Sequence, residues 1–339
     1  MPEKKKQHYV PQFHLKNFSL LGERINISLS NKTSGKYIIS AAIKNQSQKP
    51  YFYGKDLEIE NLLGSLEEDV SPIIKSIITN ISLPKINSSE YDILLRFILI
   101  SKHRTLFTSD QLNEMFDASM KNIWSKDESK KEFLSNHYFE FNNAAVFALE
   151  RIFGMTDKFS TLRIKLLITK EGGLISSDNP VVPYNIFLEE RNHHGGHYGI
   201  SSKGIMYYFP ISSKYCLVIY DSKTYKIGNR KDYTIKMNIK DLKEINLITF
   251  INCHKNVYFN GAEISEVEIN EIREMTNDIE DPNKLVIKEY PQYEEDSNKT
   301  RALVHHYRTN LKIRHKPSFL KLTKHAKNFV IRDEAVVIR

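Results

Sequence analysis

The sequence predicts an α+β fold, and three observations carry that reading. Apolar residues recur at helical spacing from Asp56 to about Phe153, then give way to β-type runs from Ser160 onward. The helices form a block, and the strands after it do not alternate regularly with helices, which argues against a doubly wound α/β chain. Finally, 339 residues with 40% hydrophobic and 27% charged content suffice for a sizeable core and fit no collagen-like, low-complexity or disordered class.

The elements follow in order. Ile25–Leu29 and Tyr37–Ile43 gather β-formers on either side of a turn at Asn31–Lys36, a hairpin pattern, and a third short strand is expected at Tyr51–Tyr53. The helical layer, about 56–153, begins with Ile59, Leu62, Leu63, Leu66 and Val70 on one stripe. Ser71-Pro72 reads as a helix restart, because proline suits a first turn, and Pro84 closes the region. Asn87 or Ser88 caps the next helix. Its body, Ile93–Ile100, is apolar nearly all round and therefore central. Two more helices are expected over Ser109–Ser125 and Asp127–Phe153.

The β-rich part, about 158–290, places strands at Leu162–Thr169, Gly173–Ser176, Met206–Pro210, Tyr215–Tyr220, Tyr233–Met237 and Asn256–Phe259. Helices are expected at Ile239–Cys253 and Ser265–Asn277, with connections at Asn179-Pro180 and at the glycine-containing stretch His193–His197. Residues 1–295 thus read as a single α+β domain. The acidic stretch Tyr293–Asn298 reads as a linker, and 296–339 as a basic C-terminal extension.

Charge sets that boundary. Arg301–Arg339 holds ten Lys or Arg against Asp333 and Glu334, so the entire net charge of +8 lies there. Cations interleaved with Tyr307, Phe319 and Phe329 are the footprint of phosphate-backbone contact. They nominate Arg308, Lys312, Arg314, Lys316, Lys321 and Lys324 as contacts to RNA or DNA. The same pattern also suits a solvated tail or an edge hairpin kept soluble by lysine. No apolar run approaches the roughly 18 residues that span a bilayer. The charged start Met1–Lys6 leads into no signal-peptide core. Two cysteines, Cys216 and Cys253, fit a reducing compartment, so a cytoplasmic protein with no membrane partner is expected. The chain carries no P-loop, dinucleotide fingerprint, nucleophile elbow or kinase set. Its oligomeric state is not written in the sequence.

The segment His8-Tyr9-Val10-Pro11-Gln12-Phe13-His14-Leu15-Lys16-Asn17-Phe18 resembles the opening signature of a bacterial family of unknown function. That family is marked by His-Tyr-Val-Pro-Gln-Phe-x-Leu-x-x-Phe and by an internal Ser-Asp-Asn-Pro segment, here Ser177–Pro180. Phe52-Tyr53 with Glu60, Leu63 and Glu67, then His103-Arg104-Thr105, and more weakly Asn246 and Val257-Tyr258, extend the likeness over roughly residues 8–260. His14 stands where the family has an aromatic residue. The resemblance implies no activity; it nominates His8, Gln12, Glu60, Glu67, Arg104, Asp178 and Asn179.

Side-chain chemistry gives these positions two readings. At about 100° per residue, Glu60 and Glu67 share the rim of the apolar stripe while Glu68 faces solvent; they are boundary glutamates paired with a cation, or one points into a cleft. Arg104 continues the stripe Ile93, Phe97, Ile100 and needs an acceptor, either a carboxylate such as Glu67 or Asp178 or a substrate phosphate. Asp178 and Asn179 cap a turn, or serve as general base or metal ligand and as orienting donor. His8 packs, or shuttles a proton. If His8, Gln12, Glu67, Arg104, Asp178 and Asn179 line one cleft, the set suits phosphodiester chemistry, with the carboxylates acting as base or holding a divalent metal. The expectation is then a nuclease, of a toxin or phage-defence kind. The alternative is a non-enzymatic nucleic-acid- or protein-binding module in which the same residues form a buried polar network.

Overall fold

A computed structural model describes residues 5–125, 127–155, 162–193, 195–229, 231–280, 282–292, 301–324 and 326. The stretch Tyr293–Asn298, read as a linker, and the basic positions from Lys327 onward lie outside the described residues.

The N-terminal part comprises β1 (Lys6–His8), α1 (Gln12–Leu15), β2 (Asn26–Asn31), β3 (Tyr37–Ala42) and β4 (Gln48–Pro50). The helical layer is α2 (Glu58–Asn80), α3 (Ser89–His103), α4 (Leu106–Trp124), α5 (Lys131–Asn136) and α6 (Ala144–Phe153). There follow β5 (Leu162–Ile168), β6 (Ser176–Ser177), β7 (Val182–Tyr184), α7 (Ile186–Glu189), β8 (Met206–Pro210), β9 (Tyr215–Asp221), β10 (Tyr225–Ile227) and β11 (Thr234–Lys236). The remainder is α8 (Ile239–Asn252), β12 (Asn256–Phe259), α9 (Glu266–Glu274), β13 (Leu285–Gln292), β14 (Arg301–Arg308) and β15 (Leu320–Leu322). The α+β class expected from the sequence is the class observed.

A five-stranded mixed sheet, in the order β11-β5-β9-β8-β7, forms the centre; β11 runs parallel to β5 and the other pairs are antiparallel. Strand alternation divides its side chains between two layers. Tyr207, Phe209, Leu217 and Ile219 pack with Leu94, Phe97 and Ile98 of α3, whereas Met206, Tyr208, Cys216 and Val218 pack with Leu242, Ile245 and Ile248 of α8. Covered on both faces, β8 and β9 are buried almost throughout, which explains their near-continuous apolar sequence. The α3 helix is as central as its sequence requires, with Ser88 capping it by accepting the Tyr91 N–H. A second, antiparallel sheet, β3-β2-β12-β6, joins the N-terminal hairpin to segments more than a hundred residues away.

Four expectations change, and the first is that the strand expected over Gly173–Ser176 forms only at Ser176–Ser177. Tyr51–Tyr53 is a turn rather than a strand, because Tyr51 adopts φ +51°; the strand lies just before it and pairs with β1. Helix α2 runs through Pro72 without restarting, and Leu63, Val70, Ile74 and Ile77 keep one buried face across it. The span Asp127–Phe153 is divided rather than helical throughout. The Phe139 and Phe141 N–H groups donate to Asp117 and Asn113 of α4, and Asn143 caps a fresh start at α6. The described part of the basic segment, for which the sequence leaves open a solvated tail or an edge hairpin, is tied to the rest of the chain. β14 pairs with β13, β15 pairs with β10, and Leu311 sits in the same core layer as α8. Charge marked its exposed positions and concealed the buried ones between them. Among the described residues, no helix is long and apolar enough to cross a membrane.

Candidate functional site

Arg104 closes α3 one turn beyond Ile100 and is only 2% exposed. Each guanidinium nitrogen has a protein partner. Nε donates to Tyr53 Oη at 3.3 Å, Nη1 to Glu67 Oε1 at 2.6 Å, and Nη2 to the His8 carbonyl at 2.7 Å. The Tyr53 hydroxyl donates in turn to the Arg104 carbonyl at 2.8 Å, satisfying an acceptor that the helix end would leave orphaned. Burial opposes the charge, but Tyr53 and Glu67 more than offset it, so the guanidinium pKa is raised. Burial also pushes the Tyr53 phenol up to about 12. Gln7, fully buried, clamps the same turn: its Nε2 donates to the Gly54 carbonyl at 2.9 Å and its Oε1 accepts the Tyr53 N–H at 2.6 Å.

The His8 imidazole points away from this network, with Nε2 lying 3.3 Å from the Lys44 carbonyl. Burial lowers its pKa, and the nearby Arg104 and Lys6 charges add to the effect. Gln12 opens α1, half-buried, and among the described residues its side chain has no hydrogen-bond partner.

A second network surrounds the Ser-Asp-Asn-Pro segment. Asp178 is 1% exposed and accepts three backbone N–H groups, from His254 (2.8 Å), Lys255 (2.8 Å) and Asn256 (3.0 Å). It thereby shapes the turn that leads from α8 into β12. Burial raises its pKa and the three donors oppose that rise. Asn179 donates to the Asn252 carbonyl at 2.9 Å, while its own Oδ1 is buried without a partner among the described residues. His14 is stacked on Phe209 (4.9 Å between centroids, 9° between planes) and its Nε2 lies 2.8 Å from Ser176 Oγ. Burial holds this imidazole at about 3, so it is neutral at physiological pH.

The six nominated residues therefore divide. Arg104, Glu67 and the His8 main chain meet in one network, Asp178 and Asn179 in another, and Gln12 in neither. Among the described residues, no three His, Cys, Asp or Glu side chains are placed to hold a metal ion.

The basic positions make a different kind of site. A cleft of about 690 Å³ opens between residues 189–197 and the segment after β14. One wall carries Glu189, Glu190, Asn192, His193 and His197; the other carries Lys312, Arg314, His315 and Lys316. Buried Asn185 fixes the first wall by donating to the His197 and Lys203 carbonyls, both at 3.0 Å. Asn310 ties the two walls together, donating to the Gly195 carbonyl at 2.7 Å and accepting the His197 N–H at 2.8 Å. Gly195 has φ +117°, a conformation that glycine tolerates and residues with a Cβ rarely adopt.

The second wall hangs on buried anchors. His315 Nδ1 lies 2.6 Å from Glu244 Oε2, and its Nε2 lies 2.7 Å from Tyr208 Oη. The Leu311 N–H donates to Tyr198 Oη at 2.8 Å. Beside these anchors Lys312, Arg314 and Lys316 are exposed, and among the described residues their side chains have no hydrogen-bond or ion-pair partner. Burial lowers the His197 pKa, and the neighbouring Lys312 charge contributes.

Not every nominated cation joins them. Arg308 pairs with Glu114 at 2.7 Å and donates to the Gln111 and Asn283 carbonyls, so it braces β14 against α4. Lys321 and Lys324 are exposed but lie outside the cleft. Sequence reasoning did not single out Gln7, Asn185, Asn310 or the Glu244–His315–Tyr208 chain. Only Gln7 had a local signal, since alternation along β1 turns it to the face opposite Lys6 and His8.

The chain belongs to the family described as Protein of unknown function (DUF4238), whose model matches residues 6–263. That span contains both polar networks and the first wall of the cleft, while Lys312, Arg314 and Lys316 stand beyond it. No curated protein and no solved structure matches the chain.

Proposed function

We propose that this member of the family is a non-enzymatic module that binds RNA or DNA through the cationic cleft, and that the polar residues nominated at its N-terminal side hold the fold. The observation carrying this reading is the contrast in how cations are partnered. Arg104 and Arg308 are engaged by protein groups. Lys312, Arg314 and Lys316 stand exposed and unpartnered among the described residues, beside His193 and His197. A phosphate backbone gains affinity from cations that are free to displace its counterions. A phosphodiester-cleaving enzyme needs its imidazole, guanidinium and carboxylate aimed at one substrate position. Here Arg104, Glu67 and Asp178 are aimed at the protein itself.

The test is fluorescence anisotropy with short single-stranded RNA, single-stranded DNA and duplex DNA at low salt, comparing wild type with Lys312→Ala/Arg314→Ala/Lys316→Ala. The triple variant is expected to bind at least ~10-fold more weakly. Equal affinity in a folded triple variant would remove the cleft as the binding surface. The same samples incubated with Mg²⁺ or Mn²⁺ address cleavage. Cutting that Arg104→Lys or Asp178→Asn abolishes, in protein that remains folded, would restore the nuclease reading.

A further inference from the structure

A separate cavity of about 340 Å³ opens between α2, α3 and α6. Leu63 and Leu66 of α2, Ile100 of α3 and Ile152 of α6 line it, and Leu62 and Phe153 stand at its edge, 59% and 38% exposed. One charged side chain completes the lining: Arg96, which is exposed and has no hydrogen-bond or ion-pair partner among the described residues. The volume lies within the range of small-molecule pockets, and a mainly apolar lining with one polar group to fix orientation is their usual composition. Two large apolar side chains left in water beside it are surface that a ligand would cover.

We propose that this cavity binds a linear aliphatic carboxylate, with its chain between the three helices and its head group on Arg96. A planar guanidinium matches a carboxylate with two parallel hydrogen bonds. Among the described residues Arg96 is the only cation in the lining, which favours a monoanionic head over a phosphate dianion. The position gives binding a structural consequence. Leu63 precedes Glu67, and Ile100 precedes Arg104, by one helical turn on the same faces. A ligand lodged there packs α2 to α3 directly beside the ion pair that already ties them, and so stabilises the folded chain by mass action. This site is independent of the nucleic-acid cleft.

The experiment is isothermal titration of the full chain with decanoate and with decanol, both below their aggregation limits, on wild type and Arg96→Gln. Arg96 is exposed, so its replacement leaves the fold intact. Wild type is expected to bind decanoate at least ~10-fold more tightly than decanol, one charge-assisted contact being worth about that ratio. Arg96→Gln is expected to bind both at the decanol level, and Ile152→Phe, which fills the cavity, to weaken both. No decanoate binding, equal affinity for the two ligands on wild type, or a preference that survives Arg96→Gln would each overturn the proposal. Equal affinity would mark the uptake as unspecific partition, and a preference that survives Arg96→Gln would place the head group on a residue other than Arg96.

Discussion

Arg104 and Arg314 carry the same group in opposite circumstances. The first is 2% exposed, with every guanidinium nitrogen matched to Tyr53, Glu67 or the His8 carbonyl. The second rises exposed from a segment pinned on either side by buried Leu311 and His315. A guanidinium whose three nitrogens are each bound by protein holds elements together, and one whose nitrogens are all free is available to a ligand. The difference shows that residue type at a motif position nominates a chemical need and leaves open who meets it. At Arg104 the protein meets it. At the cleft nothing among the described residues does.

Breaking the sealed side of this contrast should have the largest effects. Arg104→Ala leaves the Glu67 carboxylate and the His8 carbonyl without their donor and opens a hole at the end of α3. A loss of about 3–5 kcal/mol in denaturant unfolding is expected, and a loss below about 1 kcal/mol would show the network to be dispensable. Asp178→Asn keeps the shape but offers one acceptor oxygen and an opposing NH₂ to three N–H donors. A loss of about 2 kcal/mol is expected from the same measurement.

The pH dependence of stability sharpens the comparison. His14 and His103 are both held by burial at about 3, below the ordinary 6.5. Their folded pKa is lowered, so the native state is favoured fully above the unfolded value. It loses ground as pH falls through it, because only the unfolded chain takes up the proton. Each contributes a slope of about 1 kcal/mol per pH unit below pH 6, continuing towards pH 3. His14→Phe keeps an aromatic ring against Phe209 and should remove one of these slopes in unfolding curves taken from neutral pH down to about pH 5. An unchanged slope would place the acid sensitivity elsewhere. Smallest of all, Lys312→Ala/Arg314→Ala/Lys316→Ala should shift stability by no more than about 0.5 kcal/mol, since exposed unpaired side chains hold nothing together.

Much of this was legible in the sequence wherever periodicity reports burial. The helical angle put Glu67 on the rim of α2 and Glu68 in solvent, and both lie as expected. The apolar body of α3 foretold its central place. The stripe ending in Arg104 foretold that an acceptor must exist and named Glu67 as one of two carboxylates, beside a substrate phosphate. Which acceptor answers, and whether protein or ligand supplies it, depends on contacts that no local pattern encodes. The Asp178 donors come from residues 254–256, across the antiparallel pairing of β6 with β12. In the basic segment, composition counts charges without telling which neighbouring side chains turn inward. His315 and Leu311 were therefore hidden among the lysines, and Arg308 was grouped with cations whose environment it does not share.

The most direct test of the contrast is the dependence of nucleic-acid affinity on salt. Plotted as log Kd against log salt concentration, the slope for wild type should exceed that of Lys312→Ala/Arg314→Ala/Lys316→Ala by about 2–3, because each removed contact releases roughly 0.7–0.9 fewer counterions. The same slope in wild type and in a folded triple variant would contradict the assignment of the cleft as the surface that meets the polyanion.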